Sequence, residues 1–295
     1  MKIDEVVKSQ KFSILFILVI LIGCGSAKIL PEKKTMASEL SQKGSMYYSK
    51  ADYQKALDYF KRSLMINESI DNREGIARDL NNIGTVYYSI KELDNALKCF
   101  QEALKIGEEI HDSLGKAASL NNIGNVLLKK GNTKGAIEKF QDALRLDEGA
   151  GNKEGAAVRL NNLGIAYNSS GERDRALEFY QKALNINKEV KNSRGTANNL
   201  SNIGMVYETK GELASAIEHY KMALEIDKQI EYSSGIGIDL YNIGHVYEKM
   251  GELDKAMSFY ERAFKVNERL GIKERTDRDL ESIKRIQGAM RKKVN

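Results

Sequence analysis

Apolar and polar residues along this chain repeat on two scales. Within short windows the apolar and small positions fall three and four apart, as on one side of an α-helix. Ala77, Leu80, Ile83, Gly84 and Tyr87 make one stripe, and Leu93, Ala96, Leu97, Phe100, Ala103 and Leu104 make the next. The pair of stripes then returns every 40 residues, marked by Leu40, Leu80, Leu120, Leu160, Leu200, Leu240 and Leu280. A strict period of that length predicts a stacked array of helix pairs, in which no unit can bury its apolar face alone. No strand-like alternation interrupts it, and Pro31 is the single proline. The expectation is an all-α fold.

Small residues predict how the helices meet. Gly131, Gly171, Gly211 and Gly251 mark the break inside four units, where a left-handed residue ends a helix at least cost. Lys91 and Ala51 stand at that place in two others and predict slightly strained turns. A further glycine (Gly75, Gly115, Gly155, Gly195, Gly235) sits at each unit boundary. Gly44, Gly84, Gly124, Gly164, Gly204 and Gly244 lie inside the first helix, where Gly costs roughly 1 kcal/mol relative to Ala. The expected compensation is close backbone approach of the second helix through Ala56, Ala96, Ala136, Ala176, Ala216 and Ala256. Phe60, Phe100, Phe140, Tyr180, Tyr220 and Tyr260 would fill the wider gaps.

Leu80-x-x-Ile83-Gly84-x-x-Tyr87 followed by Ala96-x-x-x-Phe100 resembles the tetratricopeptide repeat signature, and the match recurs six times over residues 35–274. The chain departs from that family in its 40-residue unit, in lacking the closing proline, and in carrying Leu127 where the Tyr recurs. The longer unit is similar to the repeats of kinesin light chains and of G-protein-regulating spindle-orientation adaptors. The resemblance implies an α-α superhelix, a solenoid of six helix pairs whose inner face is lined by the first helix of each pair. From Leu280 the sequence keeps the apolar stripe of Leu280, Ile283, Ile286 and Met290 but loses the Gly and Tyr. Residues 275–295 are therefore expected to form a capping helix with a basic tail, and contact of that tail with anionic lipid or nucleic acid is the alternative.

Residues 1–11 carry Lys2, Lys8 and Lys11, and residues 12–22 are almost wholly apolar. Eleven residues are too short for a spanning helix, which needs about 20, and the layout is that of a secretory signal. Leu21-Ile22-Gly23-Cys24 resembles the lipobox of bacterial lipoproteins, which implies cleavage after residue 23 and a lipid on Cys24. Residues 24–34 would then be a short tether from the membrane to the array. Gly25 after the lipid-bearing residue fits an outer-membrane address in a Gram-negative envelope. An ordinary cut after Gly25-Ser26-Ala27 would instead free a soluble secreted or periplasmic protein.

The formal charge of +5 is interleaved with acids, as on solvated helix faces. No basic block with aromatics points to nucleic acid. His111, His219 and His245 lie in different units with no metal-ligand spacing, and Cys99 beside Phe100 reads as an inert, half-buried thiol. No catalytic set, cofactor motif or small-molecule site emerges, so the expected partner is a protein or peptide.

The exposed side of the first helices carries the candidate site. Arg78, Asn82, Thr85 and Ser89 recur as Val158, Asn162, Ile165 and Ser169, as Asn198, Asn202, Met205 and Thr209, and as Ile238, Asn242, His245 and Lys249. Asn82, Asn122, Asn162, Asn202 and Asn242 make a column of one amide per repeat, each able to donate and accept. Two roles stay open for that column: holding the main chain of an extended peptide, or tying neighbouring repeats together. Val158, Ile165, Met205 and Ile238 add an apolar patch for an anchor side chain. A membrane-tethered scaffold for envelope assembly is the leading function, and an adaptor that presents substrates to an envelope protease or wall hydrolase is the alternative.

Overall fold

The computed structural model describes residues 30–294, and the side chains of all but the last three of these. The apolar leader and Cys24 lie outside the described residues. Among the described residues there are thirteen helices and no strand, and no helix is long and apolar enough to cross a membrane. Helix α1 spans residues 30–49. It is followed by α2 (Tyr53–Ser69), α3 (Arg73–Ser89), α4 (Leu93–Glu109), α5 (Ser113–Lys129), α6 (Thr133–Gly149) and α7 (Lys153–Ser169). Then come α8 (Arg173–Glu189), α9 (Ser193–Lys210), α10 (Leu213–Gln229), α11 (Ser233–Lys249), α12 (Leu253–Arg269) and α13 (Lys273–Val294).

A left-handed residue stands every 20 positions, which sets this rhythm. The series runs Ala51, Asp71, Lys91, His111, Gly131, Gly151, Gly171, Lys191, Gly211, Glu231, Gly251 and Gly271, all with φ between 49° and 83°. Ala51 and Lys91 adopt the conformation expected of the glycines they replace. The turns between units use the same device, and there the left-handed residue is often not glycine. Just after several of the turns a polar side chain caps the next helix. Asp52 accepts from the Lys55 amide, and Asn132, Asn152 and Asn192 accept from the amides of Gly135, Gly155 and Gly195.

The chain divides into two compact units, one ending at Val126 and one beginning at Leu127. In each, consecutive helix pairs pack as a solenoid of the kind the repeat resemblance implies. The first unit holds two apolar clusters, one around Ala56, Phe60, Ile83 and Val86 and one around Ile76, Leu80, Ala103 and Ile106. The second unit holds two larger ones, centred on Phe140, Leu163 and Tyr180 and on Tyr220, Ile243 and Tyr260.

The glycines of the first helices do permit close approach, but it is an aromatic ring that approaches, more than backbone. A Cβ on Gly164 would lie 2.5 Å from the Tyr180 ring, and one on Gly84 would lie 2.6 Å from that of Phe100. The boundary glycines are not turn residues either. They lie in the first turn of the next helix, where a Cβ on Gly75 would lie 2.5 Å from the Asn67 amide and one on Gly195 equally near Asn187.

Helix α13 closes the second unit. Ile286 is buried, and Ile283 and Met290 pack against the cluster of Tyr220 and Tyr260. Leu280 departs from its column and is 38 % exposed, because no described helix follows to cover that side. Lys284 and Gln287 occupy the Gly and Tyr positions of the repeat, so the uncovered side is polar.

Candidate functional site

The Asn column lies on the exposed side of the first helices, and its amides are partly engaged. In the first unit, Asn82 Nδ2 donates to Ser41 Oγ at 3.3 Å and Asn122 Nδ2 donates to Asn81 Oδ1 at 3.4 Å. In the second unit, Asn202 Nδ2 donates to Asn161 Oδ1 at 2.8 Å. The three bonds share one logic: the column residue reaches back 41 positions to the residue preceding the column in the previous repeat. Asn242 would reach Ser201 by that rule, but Ser201 donates its hydroxyl to Asp239. The Asn242 side chain makes no hydrogen bond among the described residues. Asn162 lies half-buried at the same register of α7. Donor hydrogens at Asn82, Asn122 and Asn202 thus tie repeats, while the oxygens of Asn82 and Asn202 and the whole Asn242 amide make no hydrogen bond among the described residues.

The four apolar candidates are all in the second unit, on helices α7, α9 and α11, of which α7 touches α9 and α9 touches α11. Val158 is 46 % and Met205 36 % exposed, so both offer free apolar surface. Ile165 leans against the core and Ile238 is half-buried, which makes them partly scaffold.

Beside this patch stands a charge cluster that pattern reading overlooked. Glu208 on α9 accepts from His245 Nδ1 at 2.8 Å, Lys249 Nζ at 2.7 Å and Tyr220 Oη at 3.0 Å. Burial works to raise its carboxyl, but the bonds from His245 and Lys249 outweigh that and hold it down at about 2. One repeat on, Glu248 accepts from Tyr260 Oη at 2.6 Å and from Arg285 of α13 at 2.7 and 2.8 Å. A Glu twelve residues before a Tyr, twice in succession, was the available signal. Lys249 and Arg285 are thus paired with Glu208 and Glu248.

No group of three or more His, Cys, Asp or Glu side chains that could hold a metal ion occurs among the described residues. His245 is engaged with Glu208, and His219 packs at a tilt against the Tyr207 ring and bonds the Ser215 carbonyl. Cys99 is half-buried, and burial pushes its thiol up, away from the reactive thiolate.

A family model described as tetratricopeptide repeat matches residues 35–109, 80–149, 115–189, 155–229 and 195–269. No curated protein matches the chain in sequence. Among solved structures, the chain is similar to a Rap protein complexed with Competence and Sporulation Factor. The TM-score is 0.65 at 15 % identity, over 90 % of this chain and 80 % of that one. It is similar to the Rap conjugation gene regulator of plasmid pLS20 in complex with the Phr* peptide, with TM-score 0.62 and 20 % identity over 84 % and 72 %. It is also similar to BtubC from P. vanneervenii, with TM-score 0.61 and 18 % identity over 75 % and 90 %. At these identities the likeness is one of fold.

Proposed function

Because the chain belongs to the tetratricopeptide repeat family, we propose that it is a non-catalytic docking scaffold that holds an extended peptide segment of a partner protein. The observation that carries this reading is the juxtaposition on α7, α9 and α11 of exposed Val158 and Met205 with the open amide of Asn242 and the open oxygen of Asn202. An extended peptide presents alternating apolar side chains and main-chain amides, and such a wall can accept both. Two of the similar folds are solved with a peptide or named factor bound. By analogy this chain takes a peptide ligand, which we place along α7, α9 and α11. The lipobox-like Leu21-Ile22-Gly23-Cys24 supports a lipid anchor on Cys24, which would keep the scaffold at a bacterial envelope membrane.

Photo-crosslinking from Met205 and Val158 in cells, followed by identification of the attached segment, tests the docking role. The expected product is a defined stretch of one partner, and its yield should fall when Asn202 and Asn242 are both changed to Ala. Crosslinks scattered without preference would sink the reading. The anchor is tested separately: Cys24→Ala should move the protein from the membrane to the soluble fraction and abolish incorporation of labelled fatty acid.

A further inference from the structure

Each second helix of the second unit is clipped to the following first helix by a buried polar pair twelve residues apart. Asp147 meets Arg159 at 3.0 Å, Asn187 Nδ2 donates to Asn199 Oδ1 at 2.7 Å, and Asn267 Nδ2 donates to Asp279 Oδ2 at 2.6 Å. The joint between α10 and α11 breaks the rule. Its pair is Asp227 and Asp239, two carboxyls, 3 % and 1 % exposed.

The groups around them do not neutralise two negative charges. From α9, Ser201 donates to Asp239 Oδ1, and Arg194 acts on Asp227 from a distance while its guanidinium is bonded to Tyr232 Oη. From α10, Tyr220 feels the Asp239 charge but spends its hydroxyl on Glu208. From α12, the neutral Asn267 reaches α11 at Gly237, its Oδ1 2.6 Å from where a Cβ there would sit. Asp227 Oδ1 and Asp239 Oδ2 are left without a hydrogen-bond partner. The glycine at 235 admits the Asp227 carboxyl, which would otherwise lie 1.7 Å from a Cβ there.

We propose that Asp227 and Asp239 share a proton, so that the α10–α11 joint is a pH-sensitive clip, firm in mild acid and weak in alkali. Two ionised carboxylates in a dry joint repel, whereas one protonated carboxyl donates to the other and does the work of the amide in the Asn267–Asp279 pair. Burial pushes both groups up, Asp227 to about 6 and Asp239 to about 7, and the charge of Asp227 adds to the rise at Asp239. A raised folded value means that the native state keeps protons the unfolded chain has released. Stability is therefore undiminished below about pH 4, falls as the pH climbs to about 7, and then levels off. The clip stands beside the candidate wall, since Ser201 precedes Asn202 and Asp239 lies one turn before Asn242. It does not depend on the docking reading.

Urea unfolding of the full chain between pH 4.5 and 8, compared with Asp227→Asn, tests it. The variant recreates the Asn–Asp pair of the α12–α13 joint. The unfolding equilibrium constant of the native chain should rise by well over about tenfold across that range, because the folded state holds the proton far more tightly than the unfolded chain does. That of the variant should change much less. The infrared band of a protonated carboxyl should persist in the native protein at pH 6 and be lost in the variant. Equal pH slopes for the two proteins, or no such band, would overturn the proposal. So would a melting temperature at pH 8 that rises with millimolar Mg²⁺ or Ca²⁺, because the carboxyls would then hold a cation. If Asp227→Asn does not fold, Asp239→Asn carries the same comparison.

Discussion

At the scale of single residues, the buried ring of each second helix shows how one hydroxyl must be matched. Tyr220 and Tyr260 donate to Glu208 and Glu248, twelve residues earlier. Phe100 and Phe140 have no hydroxyl, and Tyr88 and Leu128 stand at the partner position. Tyr180 is the mismatch: it is fully buried, Asn168 stands opposite, and its Oη has no partner. An unsatisfied buried hydroxyl costs about 1–3 kcal/mol, so Tyr180→Phe should leave the melting temperature unchanged or raise it. Tyr220→Phe, which strips a donor from Glu208, should lower it. Glu208→Gln should cost roughly 2–3 kcal/mol at pH 7. The folded carboxyl titrates near 2 against an ordinary 4.5, so its contribution is full above about pH 4.5 and is lost as the pH falls toward 2. Acid titration of stability should be flatter in the variant over that window, and an unchanged curve would remove the ionic role assigned to Glu208.

Between elements, stability depends on how closely a ring can sit against a bare stretch of helix. Gly164→Ala would place a methyl 2.5 Å from the Tyr180 ring and should cost about 1–3 kcal/mol through overpacking. Calorimetry on that variant, beside Gly149→Ala where a Cβ would meet nothing within 4 Å, separates packing from helix propensity. The turns invite the opposite change. Lys91 holds φ at 67°, a conformation that costs an ordinary residue about 1–2 kcal/mol, of which the extra entropy of a Gly returns part. Lys91→Gly should therefore stabilise by about 0.5 kcal/mol, read as a higher urea midpoint. The intra-unit turns were legible because four of them carry Gly. The inter-unit turns at Asp71, His111, Lys191 and Glu231 were not, since their left-handed backbone is imposed by the two packed helices and leaves no mark on residue choice.

For the whole molecule, an array of similar pairs must be closed where it stops. Deleting residues 273–295 should uncover the apolar cluster of Tyr220, Ile243 and Tyr260, and strand Asn267 without Asp279. The expected result is aggregation or a lower, broader melt of the second unit. A truncated chain as soluble and stable as the full one would show that α13 is not its cap. Opposed electrostatics also shape the pH profile of that unit. Glu208 favours the native state above about pH 4.5, and the Asp227–Asp239 pair disfavours it as the pH rises toward 7.

What the sequence determined by itself is what repeats: helix pairs at 40 residues, the Gly inside each first helix as a point of close approach, and the column of Asn on one side of the first helices, whereas the structure showed that the group approaching the Gly is an aromatic ring. Periodic burial writes itself into residue type because each copy meets the same neighbours. The tertiary structure alone decided what depends on a meeting of two repeats. It decided that most of the Asn donors reach back 41 positions, that Ser201 turns to Asp239 while Asn242 makes no hydrogen bond, and that two buried carboxyls share one joint. Those contacts join side chains from separate helices, so no single stripe of the sequence carries them.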